Sequence, residues 1–325
     1  MPKTMKKLPF ITLAVLTCNS LNRLKKVVNS YLMQNYPHME IVVVDNGSTD
    51  GSIEFLEKFK KIRLIKNKSN LGYQKGKNIL VRASKGEYIL MLDDDIKLTR
   101  KDFITHIYNE YLKLEKPGFL STLVNHAGTD SVTTLGLFYN RTQRSIKLKD
   151  IYNKGILKIP GFHGNIIFFK KETFIKLNGF DEIYPFSIND YDLSARAYLA
   201  GYNNYLTTKL YVLHYGMSAR SNLENLAWRK QFVFCGFSRT IWKCYTLPNI
   251  ILWWPISSIW IFYKSLKSSI SHRSLRPLLA YFKSVYFFIR DFSNTIEMRK
   301  RLQSRRLIKK DVFLSIKKFD FVKNK

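Results

Sequence analysis

Short apolar runs alternate with helical segments through the first hundred residues, and this alternation limits the possible fold more than any other feature. The clearest strand is Ile41-Val42-Val43-Val44, whose β-branched side chains suit a strand that is buried on both faces. We predict strands over residues 10–17, 40–45, 62–66 and 88–92, and helices over residues 23–34, 52–60 and 74–84. A chain with this repeat forms an α/β fold, a doubly wound and mostly parallel sheet flanked by helices.

Polar residues stand at the carboxyl ends of three predicted strands. Thr17 and Asp45 end the first two, and Asp93, Asp94 and Asp95 follow the fourth. Open parallel sheets bind ligands outside the carboxyl ends of their strands, so we expect these side chains to meet at one edge. Three adjacent carboxylates repel one another unless a cation or a bound proton relieves them. The triplet indicates a divalent-cation site that a nucleotide diphosphate completes; the alternative is a solvated aspartate-rich turn.

Three loops beside these strands carry further signals for an anionic ligand. Residues 17–23 are polar and open a helix, whose free amides can bind an anion. Residues 44–52 place an aspartate before a glycine-containing turn, where it can accept hydrogen bonds from a base or ribose. In residues 70–78, glycines allow close backbone approach, and Lys75 and Lys77 can offset phosphate charge. The alternatives are helix capping, an ordinary tight turn and a solvated lysine-rich loop, respectively.

The second half of the chain has a looser pattern. We predict helices over residues 101–114, 172–177 and 190–200, short strands and turns over 119–147, and strands over 165–170 and 205–214. Asp192 and Arg196 are spaced to pair on one helix face, which leaves Asp190, nearer the helix start, free to act as a base. Both aspartates can instead simply favour the helix dipole. His214 ends the last strand, and a lone histidine is more often structural than a ligand.

The overall charge restricts the class of partner. The 325 residues contain 54 Lys and Arg against 24 Asp and Glu, a net charge of +30, which favours anionic partners.

The cysteines and the N-terminal residues bear on the cellular compartment. Cys18, Cys235 and Cys244 have no metal-binding spacing, so we expect reduced thiols in a cytosolic compartment. Lysines before the run at 10–16 mimic a secretion signal, but a first buried strand explains this short run better.

The C-terminal part has a different composition. Residues 244–263 carry no charge and include Trp253, Trp254 and Trp260, whereas residues 264–325 carry 17 Lys and Arg against 4 Asp and Glu. Tryptophan favours the lipid headgroup level, and cations attract anionic lipid. Prolines and polar residues in the uncharged stretch favour a segment that lies in the membrane interface. A spanning segment and packing against the catalytic domain are the alternatives.

The order of these motifs resembles glycosyltransferase family 2, the inverting nucleotide-sugar transferases of GT-A fold. The resemblance covers roughly residues 8–240 and is most similar to the rhamnosyltransferase-type branch that builds bacterial surface polysaccharides. It rests, in order, on residues 16–19, 43–52, 70–72, 93–95, 164–165, 178–182, 189–193 and His214. It implies a GT-A catalytic domain over 1–220, with a nucleotide-binding half over about 8–100 and an acceptor half over about 100–220. A helical, tryptophan-rich and basic region follows over 221–325.

The resemblance also implies a role for each matching residue. The nucleotide-sugar donor would contact Thr17, Asn19, Asp45, Gly47, Ser48, Gly72, Asn78, Asp93 and Asp94, with Asp45 on the base. Mn²⁺ or Mg²⁺ would be bound by Asp93, Asp95 and His214. The acceptor would lie against His163, Gly164, Asn165 and Asn189, with Asp190 as the general base and Asp192 and Arg196 as a structural pair.

The function implied by the resemblance is inverting, metal-dependent sugar transfer from a nucleotide sugar to a hydroxyl of a glycan or lipid-linked acceptor. The expected location is the cytoplasmic face of the cell membrane, held by its anionic surface. One departure is that the family usually has a glutamate where this chain has Asn189, which cannot carry charge. An inactive relative that acts as a scaffold in polysaccharide assembly is therefore the alternative. Nucleic-acid binding is not expected, because no recognised motif accompanies the positive charge.

Overall fold

The computed structural model describes residues 8–129, 131–134, 146–147, 152–184, 186, 188–216 and 223–311. The strands are β1 (Ile11–Thr17), β2 (Met39–Asp45), β3 (Ile62–Lys66), β4 (Tyr88–Asp93), β5 (Ile96–Leu98), β6 (Pro117–His126), β7 (Ser131–Thr134), β8 (Ile146–Lys147), β9 (Ile156–Ile159), β10 (Ile166–Lys170) and β11 (Asn203–His214). The helices are α1 (Leu21–Leu32), α2 (Ser52–Glu57), α3 (Tyr73–Ala83), α4 (Phe103–Tyr111), α5 (Lys171–Lys176), α6 (Asn189–Leu199), α7 (Leu223–Lys230), α8 (Val233–Cys244), α9 (Leu247–Ser271), α10 (Arg276–Arg290) and α11 (Phe292–Ser304).

The strands of the described residues form one mixed sheet. Its main path has the order β3-β2-β1-β4-β10-β6-β11-β5, with β7 and β9 pairing to β6 and β11, and β8 pairing to β7. The strands β3, β2, β1 and β4 are parallel, and β10 continues the sheet antiparallel to β4. These four adjacent parallel strands contain only residues from the first hundred, so the predicted doubly wound half is confirmed; β6 and β11 form a second parallel pair.

Two hydrophobic layers cover the two faces of this parallel half. Successive residues of a strand point to opposite faces. Leu13 of β1 accordingly packs in one layer with Leu24 of α1, and Ala14 packs in the other layer with Leu80 of α3. All seven residues of β1 are buried, which explains why its sequence is nearly continuously apolar rather than alternating.

The second half departs from the sequence prediction in several places. The short strands predicted over 119–147 are wrong for the first part of that range, because β6 is a single strand of 10 residues. Residues 130, 135–145 and 148–151 lie outside the described residues. Neither β5 nor β9 was predicted, since strands of 3 and 4 residues are too short to show a period of two.

The C-terminal helices form a layer on the catalytic half. Tyr191 of α6 stacks on Phe237 of α8, with ring centroids 5.1 Å apart. On its other side α8 holds α9 through a hydrogen bond from Trp254 Nε1 to Ser238 Oγ at 2.9 Å. The uncharged stretch 244–263 is not a separate segment, because α9 continues through 25 residues. Within the described residues, none of the helices combines the length and the apolar character that crossing a membrane requires.

Candidate active site

The register of the parallel strands brings the predicted edge residues together. In the β1–β2 pair Thr17 lies opposite Asp45, and in the β1–β4 pair Leu16 lies opposite Asp93. Asp93 is the last residue of β4, so the chain leaves the sheet through Asp94 and Asp95. The predicted convergence of polar residues at one sheet edge is therefore confirmed.

Asp93 is held by two side chains of α3. Its Oδ1 accepts hydrogen bonds from Tyr73 Oη and Lys77 Nζ, each at 2.8 Å. Lys77 is fully buried and also donates to the carbonyl oxygen of Gly164 at 3.0 Å. Burial raises the pKa of Tyr73 well above its usual range, and the charge of Asp93 adds to this, so Tyr73 stays a donor. Lys77 thus neutralises Asp93, and the predicted use of Lys77 against phosphate is wrong.

Asp94 is oriented by residues at the end of β1 and the start of α1. Its Oδ2 accepts a hydrogen bond from Thr17 Oγ1 at 2.9 Å, and its Oδ1 lies 3.5 Å from Arg23 Nε. Burial raises the pKa of Asp94 to about 6, and the nearby charge of Arg23 limits the rise. The hydroxyl of Thr17 is buried and donates to Asp94, and its contact with the nucleotide stays a prediction. The contact between Arg23 and Asp94 was not predicted, because nothing in the sequence shows that Arg23 reaches the triplet.

Asp95 pairs with His214 because β5 and β11 run antiparallel, with Ile96 opposite His214. His214 Nε2 lies 3.2 Å from Asp95 Oδ2. Burial alone would lower the pKa of His214, but the hydrogen bond to Asp95 and the carboxylate charges outweigh it and raise the pKa. A Cβ atom added to Gly216 would lie 2.2 Å from Asp95 Oδ2 and 2.6 Å from His214 Nε2, so only glycine fits beside this pair.

The Asp95–His214 pair carries atoms of the kinds that bind a metal ion. Among the described residues, Asp95 Oδ1 and His214 Nδ1 have no hydrogen-bond partner. Carboxylate oxygen and imidazole nitrogen are both ligands for transition metals. No three His, Cys, Asp or Glu side chains within the described ranges form a group that could hold a metal by themselves. A cation at Asp95 and His214 therefore needs further oxygens from a ligand, and Asp93, which is paired with Lys77, fits the predicted metal set least well.

Asp45 is fully buried and shapes the loop that follows β2. Its Oδ1 accepts hydrogen bonds from the backbone N–H groups of Gly47 at 3.1 Å and Ser48 at 2.8 Å. Its Oδ2 has no partner in the described part of the chain and is left to accept from a ligand. Gly47 has φ of +81°, and a Cβ atom there would lie 2.6 Å from the backbone of Ser69. Ser48 Oγ accepts from the Asn19 N–H at 2.8 Å, which joins the loops after β1 and β2.

Two other predicted donor contacts have structural partners. The Asn78 amide donates to the Phe180 carbonyl at 2.8 Å and to Glu182 Oε1 at 2.7 Å, and it accepts from the Phe180 N–H at 2.9 Å. The amide of Asn78 thus fastens residues 180–182 to α3, and its contact with the donor stays a prediction. Gly72 precedes α3 with φ of +86°, a conformation that favours glycine, so its role there is to turn the chain into the helix.

Asp190 lies across Gly164 from the acidic triplet. The Gly164 N–H donates to Asp190 Oδ2 at 3.2 Å. A Cβ atom on Gly164 would lie 3.4 Å from Tyr73 Oη and 3.7 Å from Asp190 Oδ2, so this glycine lies between the two groups. Since Tyr73 donates to Asp93, one short chain of contacts joins the carboxyl edge of the sheet to Asp190. The structure thus brings the predicted base close to the triplet.

The other predicted acceptor residues flank Asp190. The Asn165 carbonyl accepts from the Asp93 N–H at 3.0 Å, and Asn189 is the first residue of α6. His163 Nδ1 is buried and has no partner among the described residues. Ile188, just before α6, has φ of +48°, which is rare for a β-branched residue. Backbone strain of this kind is common next to functional groups.

A network of buried charged side chains joins α6 to α8. Asp192 and Arg196 form the predicted pair, at 2.7 Å. Lys243 Nζ of α8 lies 2.5 Å from both Asp192 Oδ1 and Asp181 Oδ2, and Arg239 Nε lies 2.7 Å from Asp181. Burial alone would raise the pKa of Asp192, but Arg196 and Lys243 outweigh it and lower the pKa, so Asp192 is ionised. The two residues of α8 were not predicted, because no spacing rule connects them to α6.

The sheet, with its parallel half, antiparallel continuation and acidic triplet at the carboxyl edge, has the GT-A arrangement. The chain belongs to glycosyl transferase family 2, because the model of that family matches residues 12–177, which is half of the chain. The predicted family and fold are both confirmed.

Three known proteins illustrate the similarity. The glycosyltransferase GlyG of Streptococcus pneumoniae is 27% identical over 124 residues, which cover 37% of this chain and 41% of GlyG. The solved mannosyltransferase PcManGT of Pyrobaculum calidifontis, in complex with GDP-Man and Mn²⁺, has a TM-score of 0.53 at 16% identity, covering 94% of this chain and 82% of that one. The structure of Staphylococcus aureus TarS 1–349 has a TM-score of 0.51 at 16% identity, covering 97% and 95% of the two chains. The match to GlyG spans about two fifths of its length, and the two structures share the fold.

Proposed function

We propose that the protein transfers a sugar from a nucleotide-sugar donor to a hydroxyl of a glycan or lipid-linked acceptor, with inversion at the anomeric carbon. The observation that carries the proposal is the position of Asp190, which contacts Gly164 at 3.2 Å and so lies beside the acidic edge of the sheet. Family membership and the nucleotide-sugar complex of PcManGT support the donor class.

The donor nucleotide would bind at the carboxyl edge of the parallel strands. The free Oδ2 of Asp45 would accept a hydrogen bond from the base, and the adjacent loops would surround the ribose. Mn²⁺ or Mg²⁺ held by Asp95 and His214, which lie 3.2 Å apart, would offset the charge of the departing diphosphate. Lys77 keeps Asp93 neutralised, and Tyr73 donates to the same carboxylate, so this side of the triplet is held rigidly.

Asp190 would act as the general base. The backbone N–H groups of Gly164 and Tyr191 each donate to one of its oxygens, which fixes the carboxylate in orientation. The acceptor oxygen would bond to the anomeric carbon while the bond from that carbon to the diphosphate oxygen breaks. The acceptor proton would pass to Asp190, and the bonding electron pair would leave with the diphosphate. Attack from the face opposite the diphosphate inverts the anomeric centre.

The proposal extends to the class of acceptor and to the cellular location of the protein. GlyG is named a glycosyltransferase, and TarS is named a poly(ribitol-phosphate) β-N-acetylglucosaminyltransferase; both names describe bacterial transferases. We therefore favour a bacterial envelope polysaccharide, or its lipid-linked precursor, as the acceptor. Synthesis of such a precursor would place the protein on the cytoplasmic face of the cell membrane.

The donor is tested by titration calorimetry with UDP-, GDP-, dTDP- and CMP-sugars, followed by product analysis with the sugar that binds. EDTA is expected to abolish transfer, and added Mn²⁺ or Mg²⁺ is expected to restore it. Full activity in EDTA would contradict the role of Asp95 and His214. Failure of all donors to bind or to be hydrolysed would instead favour the inactive scaffold.

The base is tested with Asp190→Asn, which keeps the size of the side chain and an oxygen for the Gly164 N–H. Loss of a general base is expected to slow transfer by about 10²–10⁴-fold. Donor affinity is expected to stay within about twofold, because the base acts on the acceptor. The control is Asp102→Asn, a surface aspartate paired with Arg100. Near-normal turnover of Asp190→Asn would refute the assignment.

A further inference from the structure

The helix α9 exposes a continuous apolar stripe. Its members recur at spacings of four and three residues, which places them on one face of a helix. They are Leu252, Ile256, Ile259, Tyr263, Leu266 and Ile270, all exposed. Ile259 and Ile270 are each 69% exposed, which is far more than core isoleucine shows. A single exposed leucine needs no explanation, but a stripe along most of a helix does.

The next helix, α10, repeats the pattern. Leu275, just before it, and Leu279, Phe282, Tyr286 and Ile289 within it are exposed at the same alternating spacing. The opposite side of α10 is buried at Ala280, Ser284 and Phe288. An ordinary surface helix has a polar outer face. This helix differs, because large apolar side chains lie on its outer face as well as on its inner face.

Both outer stripes lie on the same side of the helical layer. Trp254 of α9 donates to Ser238 of α8, and Ser284 Oγ of α10 accepts from the Cys235 N–H of α8 at 2.9 Å. Each helix thus uses its inner face to contact α8. The helices α9 and α10 also pack against each other, with the ring centroids of Phe262 and Tyr281 5.4 Å apart. The stripes that point away from α8 are therefore adjacent and form one surface, which we call the α9–α10 face.

The positive charge of the α9–α10 face indicates the kind of partner that it binds. Residues 247–290 contain six Lys and Arg and no Asp or Glu. The cations lie beside the stripes and contact aromatic rings: Lys264 Nζ is 5.1 Å from the Trp260 ring, and Lys283 Nζ is 5.7 Å from the Phe287 ring. Long basic side chains beside tryptophan and apolar residues are typical of helices that lie at the headgroup level of a bilayer.

We propose that the α9–α10 face binds the surface of an anionic lipid bilayer, with its two helices lying in the plane of the interface. A second copy of this chain fits less well, because two such faces would bring together cations without any acidic residue. A spanning arrangement does not suit helices that, in the described chain, lack the necessary apolar length. The inference is independent of the proposed reaction, since lipid binding can be measured without any sugar donor.

The test is co-sedimentation of the full chain with vesicles of phosphatidylcholine, with and without about one third phosphatidylglycerol, at about 0.1 M and 0.5 M salt. The wild type is expected to bind the anionic vesicles, and more weakly at the higher salt. The apolar variant Ile259→Gln, Leu279→Gln, Ile289→Gln is expected to lose about a hundredfold in partitioning. Its matched control is Met33→Gln, Leu112→Gln, Ile175→Gln, which changes exposed apolar residues elsewhere and is expected to bind normally.

The contribution of charge is tested in the same assay. The variant Lys264→Gln, Lys267→Gln, Lys283→Gln is expected to lose about a hundredfold on anionic vesicles only. The control Lys58→Gln, Lys60→Gln, Lys61→Gln removes the same charge from exposed residues at and after the end of α2.

Three outcomes would overturn the proposal. Equal losses in a face variant and its control would mean that only the net charge of +30 drives binding. Unchanged binding of the apolar variant would mean that the face does not enter the lipid. A wild-type dimer by light scattering that the apolar variant converts to a monomer, with no vesicle binding by either, would assign the face to a second copy. Circular dichroism of each variant is measured alongside to check that it is folded.

Discussion

Lys243 holds the helix that carries the proposed base, and its replacement by methionine is the sharpest test of that role. The ammonium group is 1% exposed and lies 2.5 Å from a carboxylate oxygen of Asp181 and from one of Asp192. Methionine has a similar length and no charge, so Lys243→Met removes the bridge with little change in volume. Asp192 is two residues after Asp190 on α6, so the perturbation reaches the base through little more than half a turn of helix.

The expected loss of unfolding free energy depends on the charged partners that Asp181 and Asp192 retain in the variant. Removing one partner of a buried ion pair costs about 3–5 kcal/mol, because an uncompensated charge remains. Here Asp181 keeps Arg239 and Asp192 keeps Arg196, each at 2.7 Å, so we expect the lower end of the range. A loss of about 3 kcal/mol corresponds to a fall in melting temperature of roughly 6–12 °C for a domain of 150–250 residues, and to less for a longer chain.

The assay combines urea unfolding, donor titration and transfer rate. We expect Lys243→Met to lower both stability and kcat, while the donor dissociation constant stays within about twofold, because the predicted donor contacts lie at the carboxyl ends of β1 and β2, away from Lys243. The control is Lys113→Met, because the lysine side chain is exposed and Glu110, 2.8 Å away, keeps Lys209 as a second partner, so the loss should be no more than about 1 kcal/mol. Equal stability of the two variants would refute the reasoning, and so would a lower kcat in Lys113→Met.

Two further predictions concern the same part of the fold. Asn78→Ala is expected to lower the free energy of unfolding by about 2–3 kcal/mol in urea, because it leaves buried groups of Phe180 unpaired, while donor affinity measured by calorimetry is unchanged. Burial alone would raise the pKa of Asp181, but Lys243 and Arg239 outweigh it and lower the pKa below its unfolded value of about 3.9. Its contribution to stability is therefore complete above about pH 5 and is lost as pH falls further, and urea titrations should show a shallower loss in Lys243→Met.

The parallel half of the fold was predictable because three of its strands, β1, β2 and β4, are largely buried on both faces and its helices α1 and α3 each have one apolar face. The predicted bounds of β1, β2, β3 and β4 agree with the structure to within one residue at each end. The meeting of Thr17, Asp45 and Asp93 at one edge followed from the rule that parallel strands share their carboxyl ends. The local periodicity of apolar residues and the rule about the carboxyl ends of parallel strands were therefore sufficient to predict these features.

The partners within the site were not predictable in the same way. Tyr73 and Lys77 are spaced i, i+4, so a shared helix face was visible, but no local signal shows that this lysine is buried against Asp93. The pairing of Asp95 with His214 depends on β5, a strand of 3 residues that is too short for any periodic signal. Such contacts depend on tertiary packing between segments far apart in sequence.

The division at residues 220 and 221 stays a prediction, but the contacts across it argue against two independent parts. Arg239 and Lys243 come from the C-terminal side and neutralise carboxylates that would otherwise be buried without compensation. The same helix, α8, contacts α6 on one side and α9 and α10 on the other. Since one rigid helix joins the proposed base to the α9–α10 face, a bilayer bound there would hold Asp190 at a fixed distance and orientation. A lipid-linked acceptor would then differ from a soluble glycan, because its approach to the base would be set by this layer.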